Sequence, residues 1–468
     1  MSRKLIFKPI TRIEGHAKVS LFVSNDGKVL NSYLQVTEFR GFEKLLINRP
    51  IEEAPLIVPR ICGLCSPSHH LASVKALDDI FGLTIKENAL KLRELLHFAG
   101  ILHSHILHFF ILYLPDILFR ECDKNPGFLG MVKHYPSLVK QILEIRDFAR
   151  QVIEILGGSS VHPSGAIPGG FLNSIKPSQQ LELQEKSINS IKMIKEIIDN
   201  IEDKLTVILE DYDVYVPSNF VALYSNSTYP LYHSDDIRVI SQHGELLTFF
   251  KYNECLKSIC EKDTPWSYTK TPYILNYGYY RVGPLARFNV NDIFDSENSE
   301  AFVKRFLSNR SRPLLTSNYY NIIRVAEIIY VLDKMFEILN NKCIQEPSLP
   351  QKNLRVKNNE GLGVIEAPRG TLIHYYKVDN EGYICDANLI VATVQNIPVI
   401  EKEIAAISES IISKEGLSEE RLYSEISKLI RNYDPCLSCA THTYEFPLIL
   451  EIYIENMNSI IRYPKKTF

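Results

Sequence analysis

The segments KVSLFV and VLNSYLQVTEF, within residues 18–39, alternate apolar and polar positions at period two. SNDGK between them reads as a turn, so residues 5–41 predict a strand-rich start. From Pro50 the period lengthens. KENALKLRELLHFAGILHSHILHFFILYL is apolar nearly all round and predicts a buried helix rather than a surface one. SLVKQILEIRDFARQVIEIL repeats at helical spacing and stops at Gly157-Gly158. GGSSVHPSGAIPGGF then crosses to a further helix over about 177–210, with charge pairs on its exposed face. Residues 211–310, rich in tyrosine, asparagine and proline, read as strands and loops. Helical spacing returns at NIIRVAEIIYVLDKMFEIL, followed by a β-like block, GVIEAPRGTLIHYYKV to GYICDANLIVATV, and two helices near 398–413 and 417–432. The sum is a predominantly α-helical α+β chain, a central buried helix bundle with small peripheral β-sheets.

Composition narrows the function. At 468 residues and 45% hydrophobic the chain can bury a large core, so it needs no metal or disulfide merely to fold. A net charge of −3 gives no field that attracts nucleic acid or an anionic membrane. The most apolar stretch, His105 to Phe119, is broken by His108, Pro115 and Asp116 and is shorter than the ~20 residues of a membrane span, so no transmembrane segment is expected. Arg12 and Glu14 stand where an export signal needs an apolar run, which points to the cytoplasm. In a reducing compartment, clustered cysteines are metal ligands or redox groups more often than disulfides.

Of nine cysteines, four form two Cys-x2-Cys pairs, RICGLCSPSH with Cys62 and Cys65, and DPCLSCATH with Cys436 and Cys439. Each pair can turn two thiolates toward one ion, and four sulfurs favour soft or borderline metals. The plain alternative is a structural zinc site, whose pairs usually stand about 15–20 residues apart. Here they are 374 positions apart, so a metal shared between them would lie in an interior that the whole fold is built to hold. His69 and His442 follow the two pairs. On spacing alone, structural zinc and, more remotely, a disulfide remain open.

RxCGxCxxxH and DPCxxCxxH resemble the large-subunit signatures of nickel–iron hydrogenases. The likeness continues in the family's order through TRIEGH (11–16), EFRGFEK (38–44), SHILHFFILYLPD (104–116), HPSGAIPGG (162–170), VGPLAR (282–287), EAPRGTLIH (366–374) and the Thr393/Asn396 segment. RGFEK followed by RPIEEAPLIVPRICG is most similar to the cytoplasmic, multimeric branch, which passes electrons to NAD(P), a deazaflavin or a heterodisulfide reductase. The resemblance implies one large-subunit domain over 1–442, with a β-rich start over about 1–45 and a helical core over about 50–210 and 318–442. Residues 443–468 would be a C-terminal extension removed after His442 by a maturation endopeptidase.

The resemblance also implies roles. Cys62 and Cys436 would bind nickel terminally, and Cys65 and Cys439 would bridge it to an iron carrying carbon monoxide and cyanide. Cys436 would be the first proton acceptor and Glu14 the start of the proton path. Arg369, stiffened by Pro368, would hang over the metals with Asp434 beside it, and Thr393 would donate to a cyanide. Many relatives carry aspartate where Ser104 stands, which leaves Arg369 fewer charge partners here. His69 would donate to a bridging sulfur. Glu43, His442 and the backbone carbonyl near Leu389 would hold Mg2+ (or Fe2+) at a second site. No further cysteine set can carry electrons away, so an iron–sulfur small subunit is an expected partner.

Other features have plainer readings. His97, His103, His105 and His108 recur on one apolar helix and are expected to be packed and hydrogen-bonded rather than metal-binding. Cys122, Cys255, Cys260, Cys343 and Cys385 lack ligand spacing and read as small hydrophobes. Two competing functions are an electron-transfer or quinone-site relative of the same fold, whose chains lack these cysteines, and a metal-bound structural or assembly protein, which would not need Glu14, Arg369 and Asp434.

Overall fold

The computed structural model describes residues 3–120, 126–210, 214–349 and 354–442, together with the backbone of two strands further on. The predicted strand-rich start is an antiparallel sheet of Arg3–Phe7, Ala17–Val23 and Val29–Val36. Its turn lies at SNDGK, where Ser24 N–H donates to Lys28 O and Gly27 takes φ +84°. Gly27 stands there because a side chain is disfavoured at that φ.

The predicted helices assemble as a bundle. Glu87–Ile106 packs against Pro136–Gly157 and Tyr319–Leu339, and Pro177–Asn200 packs against the latter two. Pro136–Gly157 ends on Gly158 in the left-handed conformation, the stop that the sequence marks. The Glu87–Ile106 helix runs on through a wider π turn, Leu107–Tyr113, into Leu114–Leu118. The whole span Glu87–Leu118 has the length and apolarity to cross a membrane, but 83% of its most apolar window is buried inside the protein. About 51% of the chain is helical, as the apolar periodicity predicts. A continuous apolar core runs from Leu5 to Ala440, and a smaller one lies between the sheet holding Asn219–Tyr224 and the Glu360–Ile390 meander.

Three expectations need correction. The helix expected from residue 398 is Ala392–Glu415, so ATV (392–394) belongs to a helix rather than a strand. Pro398 lies inside that helix, where a missing N–H usually marks a start, and the β-branched residues before it mimic a strand. The helix expected over 177–210 is two, Pro177–Asn200 and Glu202–Glu210, parted at Ile201. The described part of residues 211–310 holds strands but also the single-turn helix Cys255–Ser258 and two longer helices, Pro284–Val290 and Glu297–Leu307. Gly-Pro at the start of the first of these two, and Ser296 capping Ser299 N–H at the second, were the available signals. The 443–468 extension lies outside the described residues except for a backbone hairpin, Leu450–Ile454 with Ser459–Tyr463, and Cys122 lies outside them too.

His97, His105 and His108 of the long helix are packed and hydrogen-bonded, as expected, while His103 is half-buried. His97 Nε2–H is shared by Leu231 O and Glu366 O, His105 Nε2 meets Glu327, and His108 Nε2 meets Arg431 O. Burial pushes His97 down to about 3 and His105 to about 4, so both rings are neutral. A folded pKa below the unfolded value of ~6.5 means that stability is complete above pH 6.5 and falls as the pH drops toward 3. For His97 the loss amounts to about 2 kcal/mol by pH 5. Denaturant midpoints of wild type and His97→Gln should therefore converge between pH 7 and 5, and parallel curves would refute the assignment.

Candidate metal centre

Both cysteine pairs follow one local design. Cys62 is extended after the turn Val58–Ile61, and Cys65 caps the Ser66–Ile80 helix. Cys436 caps the short helix Leu437–Ala440, and Cys439 sits within it. Each pair thus has one cysteine at the N-cap position of a helix. All four Sγ atoms are buried and lie within 4.8 Å of one another. The shortest separations are Cys436–Cys439 at 2.9 Å, Cys65–Cys439 at 3.2 Å and Cys436–Cys62 at 3.3 Å. Among the described residues they form the one cluster of three or more metal-ligating side chains. Hydrogen bonds from Cys436, Cys439 and Cys62 hold the Cys65 thiol well below its ordinary range, while burial pushes Cys436 and Cys439 well above it.

Bonds of ~2.3 Å from sulfur to a shared ion set sulfurs at most ~4.6 Å apart. The observed spread closes on a metal with shifts of a few tenths of an ångström, so the donor set fits a thiolate-bound ion.

The N-terminal block reaches this quartet through the backbone. Glu14 bridges Cys436 in parallel, and Leu437 N–H donates to Glu14 O at 3.1 Å. Gly15, at φ +80°, lies so close that a Cβ would meet Leu437 Cβ at 2.9 Å. Glu14 Oε2 accepts from Cys436 Sγ at 3.1 Å and from Ser438 N–H at 3.0 Å. Arg12 and Arg431 both bind Asp116, and Arg431 also binds Thr11 O, which pins the block against the last long helix.

Opposite the sulfurs, Pro368 and Arg369 form the two-residue tip of the hairpin joining Glu360–Ala367 to Gly370–Val378. The Arg369 fork donates to Asp434 O at 2.6 Å, Asp434 Oδ1 at 2.9 Å and Ser104 Oγ at 3.2 Å. Ser104 thus serves as a neutral acceptor for Arg369. A cavity of about 20 Å³ lies between, lined by Cys65, Cys436, Cys439, Arg369 and Thr393 on one hand and by Ala367, Pro368, Leu372 and Val391 on the other. Thr393 Oγ1 accepts Cys436 N–H at 3.0 Å, so the residue lies at the cavity wall as well as at the cysteine loop. Asn396 instead holds Val282 N–H at 2.9 Å.

Below the sulfurs, His69 Nε2 meets Cys439 Sγ at 3.3 Å and its Nδ1 meets His374 Nε2 at 3.0 Å. His374 Nδ1 meets Tyr376 OH at 2.9 Å, and that hydroxyl donates to Ser73 Oγ at 3.0 Å. Sequence reasoning gave no role to His374 and Tyr376. Their period-two placement on one strand after Arg369 was the available signal.

A second cluster lies on the far side of Cys439. Glu43 Oε2 is 3.3 Å from His442 Nδ1 and 3.5 Å from Lys270 Nζ, while Glu43 Oε1 accepts Leu389 N–H at 2.9 Å. Burial pushes Glu43 up, but the His442 hydrogen bond and the neighbouring charges outweigh it and hold the carboxyl down to about 2. Among the described residues, His442 Nε2 and Glu261 Oε1 are buried without a hydrogen-bond partner. Lys270 and Glu261, which the sequence did not mark, join the cluster through Asn388.

Residues 40–118 and 211–442 match the nickel-dependent hydrogenase family, and residues 4–39 match a HoxL-like family. A protein of Methanococcus voltae, from its F420-non-reducing hydrogenase vhc, is 34% identical, with 98% of this chain and 99% of that protein covered. The NAD-reducing hydrogenase HoxS subunit beta of Cupriavidus necator is also 34% identical, over 97% of this chain and 98% of that one. A crystal structure of an NAD+-reducing [NiFe]-hydrogenase in the H2-reduced state superposes with a TM-score of 0.88 at 32% identity, covering 94% of this chain and 99% of that one. Similarity of that extent, over a chain whose four cysteines meet at one buried point, shows that the protein belongs to the nickel-dependent hydrogenase family, as its large, catalytic subunit, an oxidoreductase acting on H2.

Proposed function

We propose that Cys62, Cys65, Cys436 and Cys439 hold the nickel–iron centre, with Cys62 and Cys436 terminal on nickel and Cys65 and Cys439 bridging, and that iron carries carbon monoxide and cyanide. The observation that carries this reading is the convergence of four buried sulfurs from opposite ends of the chain. When bound, the centre supplies the redox chemistry that takes H2 to two protons and two electrons. The chain's own residues do the rest. Cys436 Sγ holds a proton 3.1 Å from Glu14 Oε2, within direct transfer reach, and Glu14 stands between the buried sulfur and the surface. The amide of Ser438 holds that carboxylate in line. Arg369, always charged and fixed in a rigid fork, keeps positive charge at the cavity, and Asp434 sets its orientation. The apolar wall of Ala367, Leu372 and Val391 excludes water and strengthens these charges. Thr393 Oγ1 already accepts Cys436 N–H, which leaves its hydroxyl hydrogen for a cyanide. His69 supports the bridging sulfur of Cys439.

Glu43, His442 and the backbone of Leu389 would hold Mg2+ or Fe2+ near the C-terminal motif. The unpartnered His442 Nε2 and Glu261 Oε1 support this reading, because mixed oxygen and nitrogen donors suit a hard octahedral ion. The relatives are subunits of multi-subunit hydrogenases, so the chain works with partner subunits. In our reading the first of these is an iron–sulfur small subunit, and electrons pass on to a flavin, NAD(P) or heterodisulfide-reductase module in the cytoplasm. A maturation endopeptidase would cut after His442.

The reading is tested by metal and mass together. The chain purified anaerobically from its host should carry about one nickel, with about one iron where the second site holds Mg2+ or about two where it holds Fe2+, and have the mass of residues 1–442, since four thiolates in one cluster hold one centre. Zinc, or trimmed chain without metal, would return the cysteines to a structural role.

A further inference from the structure

The block VGPLAR stands in the sequence without a role, and the structure surrounds Arg369 with it. Val282 is clamped by its own backbone, its N–H to Asn396 Oδ1 at 2.9 Å and its carbonyl from Tyr320 OH at 2.9 Å. Gly283 follows at φ +100°, so close to the hairpin tip that a Cβ there would stand 2.6 Å from Arg369 O. On the other side, Gly370 at φ +136° would place a Cβ 2.6 Å from Gly283 N. The two backbones therefore touch with no side chain between them, which only glycine at both positions allows.

Four residues on, Arg287 is fully buried and its guanidinium reaches the same tip. Nη1 donates to Ala367 O at 3.0 Å and Nη2 to Pro368 O at 3.3 Å, the two carbonyls that precede Arg369. The fork is fixed in turn by Glu327, through Nε and Nη2 at 2.7 Å each, and by Glu366 at 2.8 Å. Glu327 also binds His105 Nε2 at 2.9 Å, and the neighbour of His105 is Ser104, which accepts from Arg369 Nη1. One buried network thus holds both the backbone that leads into Arg369 and one end of its guanidinium. A bidentate, fully desolvated arginine is a rigid strut, which lysine does not reproduce.

We propose that Val282–Arg287 is the cradle that aims Arg369 at the metal site, with Gly283 and Arg287 as positioning residues. This rests on the reading that Arg369 acts at that site. The test is a double-mutant cycle on the holoenzyme: wild type, Gly283→Ala, Arg369→Lys and the pair, read by kcat, KM for H2, nickel per chain and the nickel paramagnetic resonance signal. Gly283→Ala should lower kcat roughly tenfold or more, as misplacement of a group at a reacting centre does, with nickel per chain unchanged. In the Arg369→Lys background the same substitution should cost less than about twofold, because the group it displaces is already gone. Independent, multiplicative losses would overturn the cradle and leave the role of Arg369 standing. Wild-type turnover in Arg369→Lys would overturn that role and the cradle with it. If Gly283→Ala fails to load nickel, Arg287→Lys goes through the same cycle. Nickel loss in both would also overturn the proposal, since the segment would then build the whole metal site rather than aim one side chain.

Discussion

Glu14→Gln is expected to cut H2 turnover by about 10²-fold or more while nickel per chain stays at the wild-type level. Glutamine keeps an oxygen for the Ser438 N–H now received by Glu14 Oε2, and the backbone bond from Leu437 N–H to Glu14 O does not involve the side chain. The near contact of Gly15 with Leu437 is likewise untouched. What disappears is the capacity to take a proton from Cys436 Sγ at 3.1 Å. The substitution therefore separates proton transfer from metal binding. Dye-linked H2 oxidation and exchange of H2 with D2O should fall together. Near wild-type rates in both would remove Glu14 from the path and require another exit from Cys436.

The site was more legible in sequence than the fold around it, for a physical reason. Two Cys-x2-Cys pairs are chemically unusual and mark Cys62 and Cys436, whereas Glu14 and Arg369 are marked by the resemblance of TRIEGH and EAPRGTLIH to the hydrogenase blocks. The structure brings all four to one place, with contacts that run between residues hundreds of positions apart. Periodicity captured the long helices because each hides a regular apolar face. It failed at Ala392–Glu415, where Val and Thr favour strands locally and tertiary contact decides otherwise, as with Thr393 on Cys436 N–H and Asn396 on Val282. It also missed contacts between elements distant in sequence. The Gly283 contact with Arg369, the Arg287 grip on two carbonyls and the His374–Tyr376 support of His69 depend on elements meeting in space, and no local pattern records such meetings.

The largest expected effect distinguishes the sulfurs from one another. Cys65 and Cys439 lie 3.2 Å apart and both line the cavity beneath Thr393, whereas Cys62 does not line it. Two sulfurs shared between two metals must sit side by side and face both; Cys65–Cys439 meets that condition, as does Cys436–Cys439 at 2.9 Å, and the proposed bridging role selects the first pair. Serine at position 65 or 439 offers a hard oxygen in place of a thiolate at the shared edge, so Cys65→Ser and Cys439→Ser should lose nickel and iron together. Cys62→Ser removes a sulfur that only nickel would use, so the chain should lose nickel and keep iron. Cys436→Ser should do the same, although its sulfur also borders the cavity, because the proposed function makes it a ligand of nickel alone. Metal content of the four purified variants decides the matter. Equal loss of both metals from all four would contradict the terminal and bridging assignment. Iron retained only when Cys65 or Cys439 is changed would reverse it.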